Sequence, residues 1–102
     1  FNNDGVFFKD VAEMFIIDYP PMVETVRKAV AEKDRALLRR TAHALKGMAL
    51  NFQIEKAADA ARQLEQLAGD GAFDNAWQLC RTLAEALAAF EGRLKRMVAG
   101  LT

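Results

Sequence analysis

The chain has 102 residues, 52% of them hydrophobic and 27% charged, which is the composition of one small globular domain and not of a disordered segment. Fourteen basic and fourteen acidic side chains cancel, so no global field draws it to nucleic acid or to an anionic membrane. One cysteine excludes an internal disulfide, and one histidine beside it is a poor ligand set for structural zinc. No apolar run approaches the roughly 20 residues needed to cross a bilayer, and no signal peptide opens the chain, so a cytoplasmic setting is expected. The opening at Phe1, without a methionine, suggests a piece of something longer.

Pro20 and Pro21 are the only prolines, and everything after them is rich in Ala, Leu, Glu, Lys, Gln and Arg. Without apolar/polar alternation to mark strands, the fold class is all-α. Asp4 and Gly5 offer an N-cap for a first helix over about 6–18, with Phe8, Val11, Met14 or Phe15, and Ile17 or Asp18 at helical spacing. Tyr19-Pro20-Pro21 is expected to end it and to start a second helix, about 21–32, burying Met22, Val23, Val26 and Val30. Asp34 would cap a third, about 35–52. A fourth runs over about 55–67 to a terminator at Gly69-Asp70-Gly71, and Asp74 would cap the last, which runs to about Val98. In that last helix Ala76, Cys80, Leu83, Leu87, Phe90, Leu94 and Met97 form a packing seam, with Cys80 as a small buried hydrophobe and Trp77 closing one end. Met14, Met22 and Met97 suit core positions better than a cofactor role. The expected architecture is an antiparallel four-helix bundle with an additional N-terminal capping helix, all within one domain over 1–102.

One helix carries more than packing requires. In residues 35–52 the core stripe is Leu38, Ala42, Leu45, Ala49 and Phe52. At about 100° per residue, His43 lies roughly 140° and Gly47 roughly 180° from the middle of that stripe, so both face outward. Arg39, Lys46 and Leu50 flank the histidine, with Arg40 just beyond. A glycine inside a helix costs roughly 1 kcal/mol against alanine, and on a solvent face it serves no close packing. It does leave the turn after His43 bare, so a partner can approach the imidazole, while Lys46 at i+3 reaches any anion placed there. An exposed ring nitrogen, a neighbouring cation and an open flank suit capture of a phosphoryl group. Taken singly, a surface histidine, a mid-helix glycine and a basic face are each ordinary; the combination on one face carries the reading.

The run Ala42-His43-Ala44-Leu45-Lys46-Gly47-Met48-Ala49-Leu50-Asn51-Phe52 resembles the His-x-Leu-Lys-Gly signature of histidine-containing phosphotransfer (HPt) domains. The likeness extends through Phe15–Pro20, through Asp34–Thr41, and through Ala61-Arg62-Gln63-Leu64-Glu65, where the family has its L-C-x-x-L-E helix. It implies a phosphorelay carrier in two-component signalling, with His43 taking a phosphoryl group from one receiver aspartate and passing it to another. Lys46 would hold phosphoryl oxygens, Gly47 would admit the receiver, and Gln63 and Glu65 lie where the family places a polar residue that orients the histidine. Ala36, Arg39, Arg40 and Leu50 would form the face for response-regulator receivers. The resemblance further implies a monomer that is no enzyme, with no ATP site, metal or cofactor of its own, Mg²⁺ belonging to the receiver. A module of a hybrid sensor kinase would fit. Gln53 stands where the family has a glycine, so the turn is expected to place Asn51 in the strained conformation or to let the helix run on. Met48 departs mildly from the small residue usual there. The competing class is a bundle that only binds a partner; haem or metal ligation through His43 is disfavoured because no second ligand falls at i+4.

Overall fold

The computed structural model describes residues 4–100, and their side chains from Phe8 onward. Four helices follow one another: α1 (Asp4–Glu32), α2 (Arg35–Asn51), α3 (Glu55–Asp70) and α4 (Ala76–Ala99). Each packs on the next, and α4 closes the ring against α1. At about 1.5 Å per residue α1 is roughly 44 Å long, nearly the 49 Å long axis of the molecule. Alanines and leucines line the shared interior: Leu38, Ala42, Leu45 and Ala49 from α2, Ala57, Ala61 and Leu64 from α3, and Leu83, Leu87 and Leu94 from α4 are almost completely buried. The small side chains let the helices approach closely, and the leucines fill the space between them.

The expected break before Pro20 does not occur, and the separate N-terminal capping helix is instead the first half of α1. A helix-interior proline costs about 3 kcal/mol, because its ring removes an N–H and crowds the preceding turn. Against that stands one unbroken buried stripe, Ala12, Phe15, Tyr19, Val23, Val26 and Val30, that keeps helical phase across both prolines. Burying each large member contributes about 1.5–3 kcal/mol, so packing on both sides outweighs the loss. Both prolines are exposed. The carbonyls of Ile16 and Ile17, which lose their helix donors, belong to a surface helix that water can reach.

The same stripe corrects the phase read from the first segment. Phe15 takes the core position, and Met14 and Ile17 are 61% and 69% exposed. In α4, Cys80 is buried as expected, but Met97 and Trp77 are exposed. Burial pushes the Cys80 thiol up to about 11, so it stays protonated and inert at neutral pH. An aromatic cluster, not Trp77, fills the space beside the α2–α3 turn: the Phe15 ring lies 4.9 Å from those of Tyr19 and Phe52 and 5.4 Å from Phe90. Met22 is half-buried.

The helix ends follow local chemistry. Asp34 caps α2, its carboxylate accepting from the Leu37 N–H at 3.1 Å. Asp74 does not cap α4; Asn75 holds that position without a side-chain cap bond. The α2–α3 turn is a Schellman motif, in which the Ile54 N–H donates to the Ala49 carbonyl at 2.8 Å and the Gln53 N–H to Leu50 at 3.1 Å. Gln53 itself adopts the left-handed conformation, φ 57°, while Asn51 stays helical. The turn therefore has the geometry a glycine would favour, with a glutamine bearing the cost. Lys33 does the same between α1 and α2, at φ 53°.

Candidate functional site

Asp34 sets where α2 begins, and the buried stripe of Leu38, Ala42, Leu45 and Ala49 sets its rotation. With that face against the core, the sixth residue after the cap's first turn cannot point inward: the His43 side chain is 67% exposed. α3 runs alongside, phased by Ala57, Ala61, Leu64 and Ala68, and carries Glu65 at the edge of its buried face. The two helices thus bring together residues 22 positions apart in the chain.

His43 Nδ1 and Glu65 Oε2 are 2.9 Å apart. A carboxylate only accepts, so the proton sits on Nδ1 and the lone pair of the neutral ring on Nε2. The other carboxylate oxygen, Oε1, accepts from Lys46 Nζ at 3.0 Å. Glu65 is largely covered, its side chain 21% exposed. The hydrogen bond from Lys46 holds its carboxyl below the usual range, with a smaller contribution from His43 and with burial opposing both. Histidine, lysine and glutamate thus form one linked set, in which the carboxylate orients the ring and holds the ammonium beside it.

Gln63, the other candidate for orienting the ring, is turned elsewhere: its amide donates to Asp59 at 2.9 Å, one turn back along α3. Gly47 is exposed, and a Cβ built on it would meet no atom within 4 Å. Nothing among the described residues therefore requires a glycine there. A helical side chain leans over the turn N-terminal to its own Cα, so a side chain longer than a methyl group at 47 would extend toward the turn that carries His43. Leu50 is 58% exposed on the same side. Ala36, Arg39, Arg40, His43 and Glu65 line one open cavity of about 470 Å³ beside the ring. Arg39, Lys46 and Glu65 also line a second cavity of about 450 Å³, reaching toward Gly69. Among the described residues, no group of three His, Cys, Asp or Glu side chains is placed to hold a metal ion.

Arg35, which sequence reasoning passed over, ties the two helices of the site. Its guanidinium donates to the carbonyls of Ala68, at 2.8 Å, and Gly69, capping the C-terminal end of α3. Gly71 lies beneath it at φ 72°, where a Cβ would come 3.2 Å from the guanidinium. The Gly-Asp-Gly spacing signalled the turn, but nothing local to Arg35 signalled its partner 33 residues away.

Neither the curated proteins nor the solved structures contain a match to this chain. The family model of the Hpt domain matches residues 10–93, which include both helices of the site and the whole His43–Glu65 pair. The chain belongs to the Hpt domain family.

Proposed function

We propose that this chain is a phosphorelay carrier in which His43 takes a phosphoryl group from the aspartate of one receiver domain and passes it to another. The observation that carries the reading is the Nδ1 contact to Glu65 on an otherwise exposed imidazole. With Nδ1 turned to the carboxylate, Nε2 is the ring nitrogen left to act as the nucleophile. The Nε2 lone pair attacks phosphorus as the phosphorus–oxygen bond to the receiver's aspartate breaks, and the electron pair leaves with that carboxylate. The ring gains a positive charge, which Glu65 stabilises through the retained Nδ1 proton. Passing the group on is the same step in reverse with a second receiver.

Lys46, on a flexible four-carbon stem, turns from Glu65 to the phosphoryl oxygens once they arrive. Gly47 leaves the approach clear. Ala36, Arg39, Arg40 and Leu50 form the docking face, with Leu50 as an apolar contact suited to a transient interface. So spare a site suffices because phosphoryl transfer needs chiefly positioning and charge stabilisation, and the receiver brings Mg²⁺ and the reactive carboxylate. The domain needs no ATP site to act this way.

The test is to mix the purified domain with a receiver kept phosphorylated by a small-molecule phosphodonor, with His43→Gln alongside. Acid-labile, alkali-stable phosphate on the wild type alone supports the carrier. Label on His43→Gln would overturn His43 as the acceptor, and no label on either protein favours a bundle that only binds its partner.

A further inference from the structure

Four cations face the same side of α2: Arg35, Arg39, Arg40 and Lys46. Arg35 is committed to the α3 carbonyls and Lys46 to Glu65, and on α3 the guanidinium of Arg62 is paired with Asp59. Among the described residues, that leaves Arg39 and Arg40 as the cations of this face without an acidic partner. They stand four and three residues before His43, one on each side of its direction from the helix axis, with Cβ atoms about 5–6 Å from its own. Because a helical side chain leans toward the N-terminus, the imidazole is carried over the turn that holds these two arginines and not over the turn that holds Lys46. The ring, with Nδ1 turned to Glu65 on the α3 side, lines one open cavity together with Ala36, Arg39, Arg40 and Glu65. Ala36, one further turn back, presents only a methyl group there.

Resting on the carrier reading above, we propose that Arg39 and Arg40 grip the phosphoryl group of phosphorylated His43 directly, as a two-sided guanidinium clamp within this chain. Guanidinium suits the task, because its planar fork offers paired N–H donors to the phosphoryl oxygens. The clamp is present before any receiver arrives, so it acts on the isolated phosphorylated domain. This separates it from a role in docking alone.

Phosphoramidate supplies the test without a receiver. Neutral imidazole attacks phosphorus through Nε2, the phosphorus–nitrogen bond of the donor breaks, and ammonia leaves with its electron pair; the product keeps its Nδ1 proton. The ³¹P signal of the phosphohistidine is then followed against pH in the wild type, in Arg39→Gln/Arg40→Gln and in Arg39→Lys/Arg40→Lys. Two cations on the phosphoryl group favour its dianion. Their removal should therefore move the ³¹P titration upward by about half a pH unit or more, and the lysine pair should restore most of the shift. Both arginines are exposed, so melting temperatures should agree and the comparison is of folded proteins. Coincident titrations of wild type and glutamine pair would overturn the clamp while leaving the carrier intact. A wild type that takes no label at His43 from phosphoramidate or from a phosphorylated receiver would overturn the carrier reading, and the clamp with it.

Discussion

Glu65 on α3 serves His43 on α2 with one carboxylate oxygen and Lys46 with the other, at 2.9 and 3.0 Å. One side chain therefore sets the tautomer of His43 and holds the Lys46 ammonium beside it. The arrangement has a stability consequence whose sign follows from the charge. A carboxyl held below its ordinary 4.5 in the folded state stabilises the fold above that pH, and the contribution is lost as the pH falls through the folded value. Thermal melts of wild type and Glu65→Gln between pH 7 and pH 3 should show the wild type ahead near neutrality and the gap closing in acid. A gap independent of pH would show that the charge of Glu65 does not contribute.

Gly47→Ala should stabilise the domain by up to about 1 kcal/mol, since the new methyl group meets nothing and the helix loses a costly residue. For a domain of this size that is a rise of roughly 4–8 °C in Tm. Transfer from a phosphorylated receiver should slow at the same time. Gly69→Ala, equally unobstructed within α3, is the matched comparison: it should raise Tm and leave transfer alone. Equal transfer rates in both variants would remove Gly47 from the site.

Gln53 holds a left-handed conformation that costs a residue with a Cβ roughly 1 kcal/mol or more, and its neighbours already make the hydrogen bonds of the turn. Gln53→Gly should accordingly raise the urea midpoint, by the equivalent of about 0.5–1 kcal/mol, without changing the denaturant slope. A lower midpoint would mean that the glutamine side chain contributes more to this turn than its backbone costs.

Tyr19 donates its hydroxyl to Glu91 across the α1–α4 contact. Burial first, then this bond and the nearby negative charge, push the phenol up to about 12. It is the chain's single tyrosine, so absorbance at the phenolate band reports it alone. The neutral form is favoured in the folded state. Its contribution is therefore complete below the unfolded value of 10.0 and declines as the pH rises from there toward 12. Tyr19→Phe should lose stability at neutral pH and be less sensitive to that alkaline window. A titration midpoint near 10 in the folded protein would show that the contact does not persist in solution.

Much of this was written locally. The core stripes of α2 and α4 repeat at helical spacing, so Leu38, Ala42, Leu45, Ala49, Leu83 and Leu87 could be named from periodicity, and with them the outward direction of His43 and Gly47. The caps at Asp34 and Gly71 follow from backbone chemistry within a few residues. What failed were judgements in which a local preference met a tertiary gain. Pro20 and Pro21 disfavour helix wherever they stand, yet the buried stripe through Phe15, Tyr19 and Val23 overrode them and shifted the phase that leaves Met14 and Ile17 outside. Gln53 disfavours the left-handed region, yet burial of Ile54 and docking of α3 hold it there.

By itself the sequence determined the helical class, the register of α2, and the presence of an exposed histidine, lysine and glycine on one face, because each depends on residues no more than a turn or two apart. Only the tertiary structure decided that Glu65, and not Gln63, reaches the imidazole, that Arg35 spans to α3, and that Arg39 and Arg40 are, among the described residues, the cations left unpaired beside the ring. Those outcomes turn on the rotation and offset of α3 against α2. Packing of buried alanines and leucines sets these, and no local signal in either helix specifies them.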